Sequence, residues 1–451
     1  MTYIHASQAL TREGWRDSVR LHLRSGRIAT MQAGVPAEPG DERHGIVVPA
    51  LGNLHSHAFQ RAMAGLAEVS GDSADNFWSW REAMYRLAHR MSPDQLEAVA
   101  AQAYAEMLES GFGRVGEFHY LHHDANGAPY AERGEMAGRI AAAAEASGIG
   151  LTLLPVFYAH STFGGAAPAP AQRRFINTLE SYELLLQSCR SLTSRLLTAR
   201  VGVAPHSLRA VTPEELSAVA GLAGTAPIHI HIAEQVREVD DCLAWSRQRP
   251  VEWLLDHAPV AQNWCLVHAT HVTPEEVRGI AASGAVVGLC PVTEANLGDG
   301  VFPVAEHLGR QGRFGVGTDS NVHIGVAAEL SLLEYSQRLT HRVRNVVRRE
   351  NQSTGRAIME IVLAGGAQAL GGDDGSIAVG APADFVSLKE KHVALACRAS
   401  DALIDAWLFA SSGDVVDCVW VAGRKVVKEG RHVAREKIEK GFIQAMKEMR
   451  S

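Results

Sequence analysis

Eight short apolar runs, separated by long helical stretches, fill the middle of this 451-residue chain and limit its fold more than any other feature. They are Val47 to His57, Arg114 to Tyr120, Leu151 to Phe157, Arg200 to His206, Ile228 to Ala233, Cys265 to Ala269, Val286 to Cys290 and Phe314 to Asp319. Several of the helices between them announce their starts. Ser92-Pro93-Asp94, Thr212-Pro213-Glu214-Glu215 and Thr273-Pro274-Glu275-Glu276 each set a capping hydroxyl before a proline at the first helical position. The last two add a glutamate that completes a capping box. Such alternation implies parallel strands, and eight units in about 300 residues predict an α/β fold of the closed (β/α)8 type. An open doubly wound sheet is the alternative.

The two ends of the chain read differently. Val19-Arg20-Leu21-His22-Leu23 alternates apolar and polar residues, breaks at Ser25-Gly26 and resumes at Ile28, as a hairpin of a half-exposed sheet does. Ile377-Ala378-Val379, Asp384-Phe385-Val386 and Asp417-Cys418-Val419-Trp420-Val421 are alike in kind, the last turning at Ala422-Gly423 into Lys425-Val426-Val427. The expectation is a small β-sandwich domain built from residues 1–47 and 376–430, a barrel over 48–375 and a C-terminal helix over 431–451.

With 46% hydrophobic and 21% charged residues the composition is that of an ordinary globular protein. No apolar run reaches the roughly 18 residues of a transmembrane helix. Met1-Thr2-Tyr3-Ile4-His5-Ala6 lacks the layout of a signal peptide, so a cytoplasmic location is expected. The net charge of -7, without a Lys/Arg block, gives no reason to expect nucleic acid or an anionic membrane as partner. The six cysteines are scattered and are expected to be reduced core residues.

In a (β/α)8 barrel the functional side chains lie at or just after the C-terminal ends of the strands. His55 and His57 end the first run, Tyr120 the second, His206 the fourth, His268 the sixth and Asp319 the eighth. In Ile228-His229-Ile230-His231-Ile232 both histidines share one face, and His231, nearer the end, should reach the site while His229 belongs to the core. Glu234 follows in the loop above. Three imidazoles and one carboxylate make a Zn2+ set with water completing the coordination. Fe2+ is the alternative, since the same ligand types suit it. Either metal lowers the pKa of a bound water, toward about 7 for zinc, and supplies a hydroxide nucleophile at neutral pH.

The strand-one His-x-His, His231, His268 and the Gly317-Thr318-Asp319 ending together resemble the amidohydrolase superfamily, over essentially the whole chain. His231-Ile232-Ala233-Glu234 looks like its mononuclear deaminase branch. The stretches from Asn53 to Gly65 (NLHSHAFQRAMAG) and from Thr293 to Gly300 (TEANLGDG) are similar to the formimidoylglutamate deiminases of bacterial histidine breakdown. Two-metal relatives of such barrels often bridge their ions with a carbamylated lysine; the first lysine here is Lys389, which favours a single metal.

The resemblance implies that His55, His57, His231 and Asp319 are metal ligands and that His268 and Glu234 form a catalytic pair. It implies hydrolysis of N-formimidoyl-L-glutamate to N-formyl-L-glutamate and ammonia, with Asp319 taking the water's proton, Glu234 passing a proton to the departing nitrogen and His268 stabilising the developing charge. A small dicarboxylate needs cations shaped for carboxylates, and arginine's planar fork suits them. Arg81, in Phe77-Trp78-Ser79-Trp80-Arg81, and Arg209 are the candidates, with Gln60, Tyr120 and His206 adding hydrogen bonds and Arg61 as a competitor. Trp78 and Trp80 read as loop packing or as a lid over the site. Deamination of a ring amidine and ligand binding without turnover are the alternative functions, and a homodimer is left open.

Overall fold

A computed structural model of the chain describes residues 2–68, 77–372 and 374–450. Its strands, in chain order, are β1 (Thr2–Thr11), β2 (Gly14–Arg24), β3 (Arg27–Gln32), β4 (Glu42–Pro49), β5 (Leu51–Ser56), β6 (Phe112–His119), β7 (Gly150–Phe157), β8 (Arg200–Val201), β9 (Ala204–Pro205), β10 (Ile228–Ile232), β11 (Trp264–His268), β12 (Val286–Leu289), β13 (Arg313–Val316), β14 (Phe385–Leu388), β15 (Val416–Val421), β16 (Arg424–Lys428) and β17 (Arg431–His432).

The two ends of the chain share one eight-stranded sheet, ordered β17-β16-β15-β14-β4-β1-β2-β3. Both expected hairpins are present, β2–β3 turning at Ser25-Gly26 and β15–β16 at Ala422-Gly423. Ile377 makes only a single parallel bridge to Thr11, a correction to the strand expected there; Val379 is exposed beside Gly380, whose φ of 84° turns the chain. The sheet curls. Ile28 on β3, at one edge, shares a buried core with Phe385 on β14 and with Cys418 and Trp420 on β15. The two hairpin turns touch, since a side chain on Gly423 would meet the Gly26 backbone at 3.7 Å.

The middle of the chain forms two parallel sheets, β5-β6-β7-β8 with β9 also on β7, and β10-β11-β12-β13. Parallel bridges join them at both seams: Val203 to Ile228 and Ser207 to His231 on one side, Ser56 to Asp319 on the other. These strands are buried on both faces, hence their continuous apolar sequences. Helices pack outside them and begin where their caps foretell. Ser92 with Gln95, Thr212 with Glu215 and Thr273 with Glu276 all form reciprocal capping boxes.

Helix Thr354–Ala369 lies against β5 and β13 so closely that no side chain fits between: a Cβ on Gly365 would overlap the Phe314 carbonyl, and one on Gly366 would meet Gly52 O at 3.2 Å. The last helix, Arg435–Arg450, packs on helix Pro93–Ser110, with Arg435 Nη1 donating to Glu109 Oε2 at 2.8 Å. Five cysteines are buried as expected, and Cys397 is exposed, which corrects the expectation for that residue. No helix among the described residues is long and apolar enough to cross a membrane.

Candidate active site

His55, His57, His231 and Asp319 converge at the C-terminal ends of β5, β10 and β13, all buried. His57 Nδ1 faces Phe118 O at 2.9 Å and His231 Nδ1 faces His206 O at 3.1 Å. A carbonyl only accepts, so each ring carries its hydrogen on Nδ1 and leaves a lone pair on Nε2. Those lone pairs point at His55 Nε2, which lies 3.2 Å from His57 Nε2 and 3.1 Å from His231 Nε2. Asp319 Oδ1 lies 3.4 Å from His55 Nε2 and 3.3 Å from His57 Nε2. Burial, reinforced by the neighbouring rings, pushes the His55 imidazole down to about 3 and holds His231 well below its ordinary value; burial lowers His57 too.

Neutral acceptors crowded together in this way repel one another unless a cation sits between them. Donors held about 2.0–2.1 Å from a tetrahedral Zn2+ stand roughly 3.3 Å apart, which the separations of 3.1–3.4 Å match. The residues present therefore fit a divalent metal ion.

His268 stands beside this set. Its Nε2 lies 3.7 Å from Glu234 Oε1 and 3.9 Å from Asp319 Oδ2, and its Nδ1 lies 3.3 Å from Glu294 Oε1. Burial opposes its charge, but Glu234, Glu294 and Asp319 outweigh that and raise the ring to about 10, so it is an imidazolium at neutral pH. Glu234 is pushed up to about 7, by burial first and by Asp319 next, against the pull of His268 and Arg209. The backbone is strained in the same place. Ala233, His268, Ala269, Asp319 and Asn321 all have φ between 45° and 68°, a region that residues with a Cβ rarely adopt. Asn321 holds the last of these turns by donating to Ser56 Oγ, His57 O and Asp319 O.

A pocket of about 560 Å3 opens over the metal set, lined by His57, His231, Glu234, His268 and Asp319 at its base. Its walls include Gln60, Arg81, Tyr120, His206 and Arg209, so the structure brings together every candidate except Arg61. Arg61 instead donates to Asn321 O and to Glu106, holding the loop after Asp319. His229 belongs to the core, with Nε2 facing Ala369 O at 2.8 Å. Gln60 Nε2 donates to Tyr120 Oη at 2.8 Å, which fixes both side chains. Arg209 is buried, its nearest carboxylate, Glu238, 3.8 Å away and its Nε without a hydrogen-bond partner among the described residues. Arg81 stacks on Trp78 at 4.5 Å. Trp80 lines the pocket while Trp78 lies among Arg81, Arg209 and Arg237, so one tryptophan walls the site and the other supports its cations.

Residues 46–426 match the amidohydrolase family, and residues 1–45 match the N-terminal domain of formimidoylglutamate deiminase HutF. The chain belongs to the amidohydrolase family. It is 50% identical to the formimidoylglutamate deiminase of Pseudomonas aeruginosa over 452 residues, covering 100% of both chains. Among solved structures it is similar to an amidohydrolase from Brucella melitensis, with 54% identity, a TM-score of 0.97 and 100% of both chains covered. An adenosine deaminase from Xanthomonas campestris, solved with bound zinc, shares the fold at a TM-score of 0.82 and 20% identity, covering 100% of this chain and 98% of that one.

Several residues around this amidohydrolase site carry no periodic signal. Glu294 and Asp299 sit in the quoted stretch Thr293 to Gly300, yet in sequence they look like solvated loop charges; both are buried. Tyr158 and Phe175 line the pocket from segments whose apolar character suggests only core. Glu117, on β6, accepts from the Ala58 amide at 2.7 Å and so pins the chain just after His57.

Proposed function

We propose that this protein is a metal-dependent deiminase that converts N-formimidoyl-L-glutamate and water to N-formyl-L-glutamate and ammonia in histidine degradation. The observation that carries the proposal is a single pocket holding two kinds of machinery: a metal set with a Glu234–His268 pair at its base, and the guanidiniums of Arg81 and Arg209 on its walls. The first suits hydrolysis of an amidine carbon–nitrogen bond. The second suits the two carboxylates of a glutamyl substrate, for which a flat ring amidine has no use. The full-length relative from Pseudomonas aeruginosa bears the name of the same activity.

His55, His57, His231 and Asp319 would hold the ion, Zn2+ in first place and Fe2+ as the alternative. Bound there, the metal supplies Lewis-acid chemistry that makes water a nucleophile at neutral pH. The chain's own residues do the rest. Arg81 and Arg209 take the carboxylates and Gln60, Tyr120 and His206 fix the substrate's orientation, which places the formimidoyl carbon over the base of the pocket. A carbon–oxygen bond forms as Asp319 accepts a proton from the attacking water. Glu234 hydrogen-bonds the terminal nitrogen and delivers a proton to it. The imidazolium of His268 stabilises negative charge on the oxygen. The hydroxyl proton passes to the same nitrogen as the carbon–nitrogen bond breaks, so ammonia leaves with one proton from Glu234 and one from the water, and the water's other proton, taken by Asp319, is released.

In the same proposal the two parallel sheets are one closed (β/α)8 barrel over residues 48–375, supported by the bridges at both seams. The chain ends, 1–47 and 376–430, form a β-sandwich supported by the shared core of the curled sheet, with the terminal helix over 431–451. A cytoplasmic setting suits six cysteines that form no disulfide. The test is proton NMR of wild-type protein with N-formimidoyl-L-glutamate: the formyl proton of N-formyl-L-glutamate should grow in step with ammonia. Appearance of formamide and glutamate would refute the assignment.

A further inference from the structure

Asp299 is the one buried residue in an otherwise half-exposed or exposed run from Ala295 to Gly300. Gly298 and Gly300, on either side of it, have φ of 70° and 134°, backbone conformations that strongly favour glycine. This pair of turns drives a carboxylate inward, where it gathers with Glu234 and His268: one ligating atom of each lies within 4.8 Å of the others. The Gln235 side chain donates to Asp299 Oδ1, while Oδ2 has no hydrogen-bond partner among the described residues. Two carboxylates this close and this buried repel each other, so the arrangement persists only if a proton or a cation lies between them. The groups that face Asp299 are Glu234, His268, Glu294 and Asp319, and His271 packs beside it against Gly300. Only two of those five, His268 and His271, are able to carry positive charge, and His268 is already flanked by Glu234 and Glu294.

Resting on the deiminase assignment, we propose that Asp299 is a proton carrier that shares one proton with Glu234 and returns it after each turnover. When Glu234 has given its proton to the departing nitrogen, the Asp299 O–H bond breaks and a Glu234 O–H bond forms. Asp299 is then reprotonated from solvent, which takes up in exchange the proton that Asp319 releases. A separate cavity, lined among others by Glu294, Gly298, Gly300 and Phe302, borders both neighbours of Asp299 and is the route this proposal assigns to solvent. Burial and the nearby Glu234 push the Asp299 carboxyl up to about 9, in keeping with a group that holds a proton at neutral pH.

Two measurements on the metal-loaded, full-length enzyme test this. Infrared difference spectra across a pH titration read the carboxylic-acid carbonyl directly and need no substrate. In wild-type-minus-variant difference spectra at pH 7, in which the bands of other buried acids such as Glu117 are common and cancel, one carboxylic-acid carbonyl of the wild type should be missing from Asp299→Asn and from Glu234→Gln. A wild-type-minus-Asp299→Asn difference spectrum with no carboxylic-acid carbonyl overturns the proposal. In steady-state kinetics Asp299→Asn, which keeps an acceptor for Gln235, should lower kcat by about tenfold or more with KM and metal content unchanged. Small exogenous acids such as imidazolium should restore part of the rate, and Asp299→Glu should retain more of it than Asp299→Asn. An unchanged kcat, or a loss that no exogenous acid relieves, overturns the relay. If wild type releases no ammonia from N-formimidoyl-L-glutamate, the deiminase assignment fails, and the infrared result still decides whether the two carboxyls share a proton.

Discussion

Each functional side chain in the pocket has a neighbour that limits what it can do. The Nδ1 contacts of His57 and His231 choose the tautomer that offers Nε2 inward, and the Gln60–Tyr120 bond sets two substrate-facing groups at once. Glu234 touches none of the ligand imidazoles through a hydrogen bond, so Glu234→Gln should keep its metal stoichiometry by elemental analysis while kcat falls by about 10²–10⁴. Normal turnover in that variant would remove Glu234 from the mechanism. Arg209→Lys keeps the charge and loses the planar fork, and kcat/KM for the dicarboxylate substrate should fall roughly 10-fold to 100-fold, mostly through KM. The convergence of His55, His57 and His231 was legible in the sequence because a strand's two-residue period and its C-terminal end fix where a histidine points. Glu294 and Asp299 were not, because nothing local distinguishes a loop carboxylate facing solvent from one turned inward by its glycines.

Among the elements, strands and helix starts follow from local chemistry, while close approach between elements does not. Capping boxes at Ser92, Thr212 and Thr273 mark real helices, yet Gly365 and Gly366 show in sequence as mere weak points of helix Thr354–Ala369. Their purpose appears only when the helix meets Phe314 O and Gly52 O. Gly365→Ala should destabilise by about 1–3 kcal/mol in urea unfolding, the cost of overpacking, where an exposed helical glycine would gain from the same change.

Strand β6 offers a second test at this scale. Burial pushes the Glu117 carboxyl from 4.5 up to about 8, so the folded protein holds a proton that the unfolded chain releases. The corresponding stability is complete below pH 4.5 and is lost as pH rises through 8. Unfolding free energies at fixed metal loading should fall with pH across that window in wild type, and less steeply in Glu117→Gln. Equal slopes would show that Glu117 does not titrate there.

For the whole molecule, the two parallel sheets meet at seams that are themselves part of the site: Ser56 bridges to Asp319 and Ser207 to His231. A metal held, as proposed, by residues from β5, β10 and the end of β13 would tie both sheets together. Its removal should lower Tm as well as activity, since a ligand bound only by the folded state stabilises it. The sheet built from the chain ends is harder to read from sequence than the two parallel sheets, because its pairing joins residues more than 300 positions apart, as in β4 with β14. The central claim is that one metal set and one pair of arginines serve a linear amidine with two carboxylates. The most direct measurement is ammonia release from N-formimidoyl-L-glutamate and from guanine side by side, before and after chelation with metal content determined. Turnover of the formimidoyl substrate alone, lost with the metal and regained on adding Zn2+ or Fe2+, is the predicted result; turnover of guanine alone, or ammonia release that survives demonstrated loss of the metal, would contradict it.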